Sequence, residues 1–442
     1  MADDKKPKEQ QGLPEGWKWV RLEDDIILIT GSRPKGGAVE EGIPSLGGEH
    51  ISEDGRIIFT EQNAKYIPDK FFKLMSKGKV EINDILMNKD GANAGKVAIL
   101  KAKFHPHIAI NEHLFILRSK KLFEQKYLFY WLYSPFAQAE IKNRITGSAQ
   151  PGLSSNFIKN FFLPLPPLPE QRKIAQILET VDNAIEKTEK IIEKYKLIKQ
   201  GLMQDLLTKG IDEKGNIRSE KTHKFKDSPL GRIPEEWEVV RLEEISNKII
   251  DGTHYTPQYT DDGIPFLRIV DLQSQSINLD SVIRISPQEH KILSKRCLPE
   301  YGDILLSKNG TVGISKVVNW TWEFSIFVSI CLIKPKHEKV VNIFLKYFLD
   351  SEWIKKQILK RTKQLSVINL HLEEIRDFLI FLPPLSEQKR IAEILSQIDQ
   401  AIEKEEKYKE KLERLKKGLM EDLLTGKVRV NKLLEGENHE TA

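Results

Sequence analysis

The chain contains little cysteine, no extended apolar segment and almost no net charge. Its 442 residues include two cysteines, Cys297 and Cys331, which we expect to be buried thiols. So few cysteines exclude a disulfide framework and favour a reducing compartment. No segment approaches the roughly 18 apolar residues of a membrane-spanning helix, and Met1 to Lys6 are charged, unlike a signal peptide. The sequence predicts a cytoplasmic protein with no membrane segment.

The chain also lacks the motifs of common enzymes. It contains no G-x-x-x-x-G-K-[S/T] phosphate loop, no glycine-rich loop placed to hold S-adenosylmethionine and no Asn-Pro-Pro-aromatic tetrad. His105, His107 and His113 lack the spacing of metal ligands. Asp84 and Glu112 lack the Glu-x-Lys spacing of a nuclease centre. We therefore predict no catalytic residues, no metal site and no cofactor bound by this chain.

One long motif occurs twice. The sequence PPLPEQRKIAQIL at 166–178 returns as PPLSEQKRIAEIL at 383–395. Further along, GLMQDLLT at 201–208 returns as GLMEDLLT at 418–425, again 217 residues later. Because both ends of the repeat share one offset, the segment between them has a fixed length. A repeat without insertions indicates a rigid element.

Both copies of this element have the apolar spacing of a coiled-coil seam. The predicted packing positions are Ile174, Leu178, Val181, Ile185, Ile192 and Leu202 in the first copy, and Ile391, Leu395, Ile398, Ile402, Leu412 and Leu419 in the second. Pro169 suits a helix start, and Gly210 and Gly426 suit helix ends. A helix of about 38 residues is roughly 57 Å long. We expect the two helices to pack on each other; the alternative is that each lies on its own neighbouring domain.

A weaker repeat precedes each helix. Leu13-Pro14-Glu15-Gly16-Trp17 is answered by Ile233-Pro234-Glu235-Glu236-Trp237. Short strand-like segments, turns and a late aromatic helix follow in both halves, which predicts two diverged α+β domains. The predicted boundaries are 1–168 for the first domain, 169–209 for the first helix, 210–232 for a linker, 233–382 for the second domain, 383–426 for the second helix and 427–442 for a C-terminal tail.

Two loops in each domain carry residues suited to binding nucleic acid. Glycines allow close backbone approach, and Arg, Lys, Asn and Thr donate to phosphates and base edges. The candidate DNA-binding residues are Ser32, Arg33, Lys35, Asn88, Lys89, Asn93 and Lys96 in the first half, and Thr253, His254, Tyr255, Lys308, Asn309 and Thr311 in the second. Plain turns use the same residue types. The matching positions in both halves favour a shared binding face.

Together these features resemble the DNA-specificity subunit of Type I restriction–modification systems. The resemblance rests on the two doubled motifs, on the Pro-x-x-Trp ahead of each domain and on the loops that contain Gly and Thr. It covers nearly the whole chain. Within the repeat, Pro169 stands where the second copy has Ser386, and the first Gly-rich loop is one residue longer than the second.

The resemblance implies two target-recognition domains that read the halves of an asymmetric, bipartite site in double-stranded DNA. It implies that the two long helices form an antiparallel coiled coil that sets the spacing between the domains and docks two methyltransferase (modification) subunits, which restriction subunits then join. S-adenosylmethionine is expected on the methyltransferase partner. A duplicated chain that closes on itself also favours a pseudo-twofold, antiparallel pair. A net charge of only +5 agrees with a partner that supplies much of the phosphate contact.

Two other functions stay open from the sequence. One is a coiled-coil adaptor that binds only proteins, which a footprint on duplex DNA would exclude. The other is an enzyme with unrecognised motifs, such as a methyltransferase or nuclease, which methyl transfer by the purified chain would reveal.

Overall fold

The structure, a computed structural model, describes residues 12–147, 151–273, 277–362 and 369–434. Residues 1–11, at the start of the predicted first domain, and residues 435–442, at the end of the predicted tail, lie outside the described residues. The chain forms two compact units: residues 1–189 with 408–442, and residues 190–407. Within the described ranges, no helix combines the length and apolar content needed to cross a membrane.

The α+β domain of the first unit consists of small sheets with helices packed against them. Its strands are β1 (Lys18–Arg21), β2 (Ile26–Thr30), β3 (Ile43–Leu46), β4 (Tyr66–Ile67), β5 (Ile85–Asn88), β6 (Val97–Ile99), β7 (Ala109–Ile110), β8 (Leu114–Ser119), β9 (Ile145–Thr146), β10 (Gly152–Leu153) and β11 (Phe162–Leu165). Its helices are α1 (Asp69–Leu74), α2 (Gln125–Tyr133) and α3 (Pro135–Lys142), and α4 (Leu168–Leu206) is the first long helix.

The sheets of this domain place its first and last strands side by side. An antiparallel sheet runs in the order β2-β8-β5-β6, and a second sheet, β4-β3-β7, has β3 and β7 parallel. Strand β1 pairs antiparallel with β11, and β9 pairs with β10. Because β11 precedes α4 directly, the β1–β11 pair fixes where the long helix leaves the domain.

The domain of the second unit has a matching topology. Its strands are β12 (Phe225–Lys226), β13 (Ile233–Pro234), β14 (Glu238–Arg241), β15 (Ser246–Asp251), β16 (Tyr259–Thr260), β17 (Ile264–Leu267), β18 (Arg284–Ile285), β19 (Ile304–Ser307), β20 (Ser315–Val317), β21 (Ser325–Ile326), β22 (Ile330–Pro335) and β23 (Leu379–Leu382). Its helices are α5 (Ile269–Leu272), α6 (Pro287–Ser294), α7 (Asn342–Leu349), α8 (Glu352–Thr362) and α9 (Leu372–Arg376), and α10 (Leu385–Leu424) is the second long helix.

Strand order shows that the two domains are copies of one fold. The sheet β15-β22-β19-β20 corresponds to β2-β8-β5-β6, and the pair β14-β23 corresponds to β1-β11. The parallel pair β17-β21 corresponds to β3-β7. The predicted fold class, two repeated α+β domains with two long helices, is confirmed.

The core of each unit includes residues from both long helices. In the first unit, Ile174 and Leu178 at the start of α4 pack in the same cluster as Leu423 and Leu424 at the end of α10. In the second unit, the start of α10 packs with the end of α4 through the residues Ile391, Leu395, Leu206 and Leu207. Burying a leucine contributes roughly 1.5–3 kcal/mol. The repeated GLMxDLLT motif therefore places each helix end in the core of the other half's domain.

The predicted packing positions lie on the covered faces of the helices. The buried ones are Ile174, Leu178, Val181, Ile192, Ile391, Leu395, Ile402 and Leu412. The half-buried ones are Ile185, Leu202, Ile398 and Leu419. Both arrangements that the sequence left open occur, because each helix starts on its own domain and also pairs with the other helix.

Matching polar contacts cross the helix pair in each unit. In the first unit, Tyr130 donates to Asp182 at 2.7 Å, and Lys416 of α10 reaches the same carboxylate at 2.7 Å. The second unit repeats these contacts with Tyr347, Asp399 and Lys199, at 2.7 and 2.6 Å. Further along the first unit, Lys409 pairs with Glu189 at 2.7 Å. Asp182 pairs with Lys416, and the later residue Glu189 pairs with the earlier residue Lys409. The two helices are therefore antiparallel.

A buried glutamate, Glu170, lies in the first turn of α4. Its carboxylate accepts hydrogen bonds from Trp17 Nε1 at 3.3 Å and from Arg429 Nε at 2.9 Å. Burying a carboxylate without such donors would be costly. The neighbouring Gln171 bonds three backbone groups of the same unit. The Glu-Gln pair thus joins α4 to the domain before it and to an arginine that follows α10.

The second unit repeats this arrangement at Glu387. The carboxylate accepts from Trp237 Nε1 at 3.1 Å and from Arg218 Nη2 at 3.2 Å. Gln388 again bonds three backbone groups. Arg218 comes from the predicted linker and Arg429 from the predicted tail, so both segments contribute side chains to these buried contacts.

A substitution at Gly210, just past the end of α4, would test the buried contacts of Glu387. Gly210 has a φ of +63°, and an added Cβ would lie 2.1 Å from Glu387 Oε1 and 2.4 Å from Trp237. We expect Gly210→Ala to destabilise the second unit by about 2 kcal/mol or more. Gly201 lies within α4 with nothing within 4 Å of its Cβ position, so Gly201→Ala should stabilise by about 0.5–1 kcal/mol. Thermal unfolding of both variants checks this; equal midpoints would contradict it.

Candidate nucleic-acid interface

The first predicted loop of each domain is attached through a glycine. A Cβ added to Gly31, directly after β2, would lie 2.1 Å from the carbonyl oxygen of Asn111. A Cβ on Gly252, directly after β15, would lie 1.9 Å from the carbonyl oxygen of Ile326. Only glycine permits such close backbone approach. The repeated glycine therefore positions the loop against the neighbouring strand in both domains.

In the first domain, residues Glu112 and His113 connect the two predicted loops. Arg33 of the first loop pairs through Nε with Glu112 Oε1 at 2.9 Å. Lys89 of the second loop donates to the backbone oxygen of Glu112 at 3.4 Å and lies 3.6 Å from Asp90. His113 contacts Asp90 at 3.1 Å and Glu112 at 3.5 Å. The loops thus form one surface rather than two separate turns.

In the second domain, the buried carboxylate of Asp251 connects the matching loops. Arg296 donates to Asp251 at 2.7 Å, His254 lies 3.2 Å away and Lys308 of the second loop lies 3.4 Å away. Burial opposes ionisation of Asp251, but the hydrogen bonds from Arg296 and His254 and the charge of Lys308 outweigh it and hold its pKa below the usual value. The loops meet in this domain too, through different residues.

A third segment, which was not predicted from the sequence, lies beside the second loop in each domain. The Leu153 amide donates to the carbonyl oxygen of Lys89 at 2.7 Å, and the Leu370 amide donates to that of Lys308 at 2.8 Å. Isolated bridges join Asp90 to Gly152 and Asn309 to Asn369. The signal was present as Leu153 and Leu370, which share the 217-residue offset, but a single leucine has no distinguishing chemistry.

The candidate DNA-binding residues differ in accessibility. The exposed ones are Arg33, Lys35, His254, Tyr255 and Thr311. The half-buried ones are Ser32, Lys89, Asn93, Lys96 and Asn309, and the buried ones are Asn88, Thr253 and Lys308. Several are already engaged: Lys96 pairs with Glu53 at 3.0 Å and Thr253 bonds the backbone of Tyr255. For Lys308 to contact a phosphate, its pair with Asp251 would have to open.

Each loop surface borders a small cavity. The cavity in the first domain has a volume of about 200 Å³ and is lined by Arg33, Asn111, Glu112 and His113 among others. The cavity in the second domain has a volume of about 400 Å³, and Thr253, His254, Tyr255 and Arg296 line it. A larger cavity of about 570 Å³ lies between the first domain and the long helices of the first unit, away from these loops.

Neither metal-binding nor thiol chemistry is evident in the described ranges. No group of three or more His, Cys, Asp or Glu side chains there is arranged to hold a metal ion. Cys297 and Cys331 are both buried, and burial raises the pKa of Cys297 to about 11. That thiol is therefore neutral and unreactive near pH 7. What the two surfaces offer is hydrogen-bond donors and acceptors on an exposed face.

Sequence comparison identifies the class of protein. The family described as "Type I restriction modification DNA specificity domain" matches the chain twice, over residues 14–195 and 234–414. Each match covers one α+β domain and most of the helix that follows it. The chain belongs to this family of DNA specificity subunits, as its doubled motifs predicted. It is thus the non-catalytic component of a Type I restriction–modification system.

Individual relatives agree with this assignment. The Type I restriction enzyme MjaVIII specificity subunit of Methanocaldococcus jannaschii is 33% identical over 439 residues, which are 96% of each chain. The EcoKI specificity subunit of Escherichia coli is 21% identical, over 88% of this chain and 82% of its own. The crystal structure of the S subunit from M. genitalium shares the fold with a TM-score of 0.60, at 15% identity, covering 96% of this chain and 99% of its own.

Asp251 provides a pH-dependent test of the second loop surface. The pKa of Asp251 is lower in the folded chain than in the unfolded chain, where it is about 3.9. The ionised carboxylate therefore stabilises the folded state above about pH 3.9, and this stabilisation is lost as the pH falls through the pKa of the folded state. Asp251→Asn should cost about 3 kcal/mol near pH 7, since it leaves Lys308 buried without its partner. The difference from wild type should shrink below about pH 4.

Unfolding measured from pH 3 to pH 7 checks this expectation. Asp227→Asn is the control, because Asp227 is 87% exposed and its ion pair is with the exposed Arg232. It should change stability by less than about 0.5 kcal/mol at any pH. A constant cost of Asp251→Asn across this pH range would contradict the role of the charged carboxylate.

Proposed function

We propose that this chain selects the DNA site of a Type I restriction–modification enzyme by reading two half-sites with its two domains. Each domain reads through its own loop surface. The observation that carries the proposal is that matching loops meet in both domains, but with different side chains in the first loop and a different carboxylate joining the two loops. Arg33 and Lys89 are in contact with Glu112 in the first, and His254 and Lys308 with Asp251 in the second.

Different side chains at matching positions support an asymmetric target. An arginine and a histidine or tyrosine present different donors and acceptors to base edges. Phosphate contacts position a protein on DNA, whereas base contacts specify the sequence. Lys35 and Thr311 are exposed and suit the positioning role. The two half-sites should therefore differ in sequence.

We further propose that the long helices set the spacing of the half-sites and dock the partner subunits. Helices of 39 and 40 residues are long and regular enough to act as a spacer. Exposed apolar side chains support the docking role: Ile191 and Ile198 on α4 of the second unit, and Tyr408 and Leu415 on α10 of the first. Each pair is spaced by seven residues and so lies on one helix face.

The family assignment supports a proposal about the partners. We propose two methyltransferase subunits, which carry S-adenosylmethionine, and restriction subunits that join them. The small net charge of +5 supports a shared phosphate contact, since a chain that binds DNA alone is usually more basic. The cytoplasmic location stays a prediction from the cysteine content.

Footprinting tests the proposed function. The full chain assembled with its methyltransferase subunits should protect duplex DNA in two separate patches at the modified site. The chain alone should neither methylate nor cleave DNA, and it should bind the same duplex weakly because it lacks the partner's phosphate contacts. Protection of one continuous patch, or none, would contradict the proposal, and so would methyl transfer by the isolated chain.

A further inference from the structure

Arg33 is a candidate DNA-binding residue whose terminal hydrogen-bonding groups are available. Its side chain is 68% exposed on the loop after β2. Its Nε pairs with Glu112 Oε1 at 2.9 Å, and within the described ranges its two terminal nitrogens have no partner. The guanidinium is a planar fork, so an ion pair at Nε leaves the edge formed by Nη1 and Nη2 open.

The other arginines of the first domain, and Arg296 beside the second loop surface, already bond within the fold. In the first domain Arg21, Arg56, Arg118 and Arg144 each bond through at least one terminal nitrogen. Arg296, beside the matching loop of the second domain, uses one terminal nitrogen for two backbone oxygens and the other for Asp251. Arg33 therefore differs from these arginines in having both terminal nitrogens free.

Glu112 has contacts besides the one with Arg33. Its backbone oxygen accepts from Lys89 and its Oε1 lies 3.5 Å from His113 Nε2, whereas its Oε2 is buried and has no hydrogen-bond partner within the described ranges. An ion pair as exposed as this one contributes little to folding. What the pair does provide is a fixed direction for a side chain that would otherwise sample many rotamers.

We propose that Arg33 reads a guanine in the half-site bound by the first domain and that Glu112 is the residue that positions it. The proposal rests on the proposed function. An arginine fork donates bidentately to the O6 and N7 of guanine, which is the commonest specific contact in the major groove. Of the four bases only guanine presents two acceptors at that edge.

The charge of Glu112 favours a base over a phosphate. A carboxylate beside the guanidinium repels a phosphate, whereas the O6 and N7 acceptors of guanine carry no net charge. A phosphate contact also needs no fixed side-chain direction, because a lysine can make it as a point charge. Lys35, two residues further along the loop and exposed, is better suited to that contact.

Site selection tests the proposal. The full chain with its methyltransferase subunits selects DNA from a library in which both half-sites are randomised, and variants are compared with wild type. Arg33→Lys keeps the charge and removes the fork. It should reduce the preference for guanine at one position of one half-site by on the order of 10- to 100-fold, and leave the other half-site unchanged.

Glu112→Gln should keep guanine at the same position with a weaker preference, because the fork is present but less well directed. Arg21→Lys is the matched control: Arg21 is exposed in the same domain but its terminal nitrogens pair with Glu23 and Asp24. It should select the wild-type site. Unchanged thermal unfolding of all three variants shows that the domain is intact.

Three results would overturn the proposal. One is an unchanged first half-site after Arg33→Lys. Another is a uniform loss of affinity for all sequences with a shallower salt dependence, as a phosphate contact predicts. The third is a new base preference at a different position after Glu112→Gln. A wild-type complex that selects no sequence would instead contradict the proposed function and this proposal with it.

Discussion

A buried carboxylate at the start of each long helix is the interaction on which the rest of the structure depends. Glu170 and Glu387 are each held by a tryptophan ahead of the domain and by an arginine that follows the opposite helix. A buried carboxylate that loses a partner costs several kcal/mol, so neither core is complete without both helices. This requirement explains why the helical segments repeat without insertions. If one helix changed in length, the arginine that follows it would move away from the glutamate at the start of the other helix.

The same constraint separates the parts of the chain that must be conserved between halves from the parts that are free to differ. The sheets hold the loops at strand ends, outside the main clusters of buried apolar residues. The loops are joined by an exposed pair, Arg33 with Glu112, in the first domain and by a buried pair, Lys308 with Asp251, in the second. On the proposed function, this fixed frame with variable loops would let two copies of one fold bind two different half-sites.

Much of the fold and part of the candidate site were predictable from the sequence, for physical reasons. The helices were predictable because an apolar stripe with helical spacing repeats over many residues. The loops were predictable because they combine glycine with polar residues, but the contact of Gly31 and Gly252 with the neighbouring backbone is seen only in the folded chain. The arginines that donate to the buried glutamates, Arg218 and Arg429, were not predictable. Each is a single charged residue in a segment without periodicity. Likewise, the pairing of Arg33 with Glu112 joins residues far apart in sequence, so only the folded chain reveals that one orients the other.

The most direct test of the account is the spacing between half-sites. The boundary between the two compact units falls after Glu189 in α4 and after Lys407 in α10. A heptad inserted at both points keeps the apolar stripe in register and lengthens the pair by about 10 Å. At about 3.4 Å per base pair, the preferred spacer should grow by up to about three pairs with both half-sites unchanged. Affinity should fall at the new optimum, because three pairs also rotate one half-site by roughly 100°. Four residues inserted into one helix alone break the register and should abolish selection. An unchanged spacer optimum in a library of spacers varied one pair at a time would contradict the account.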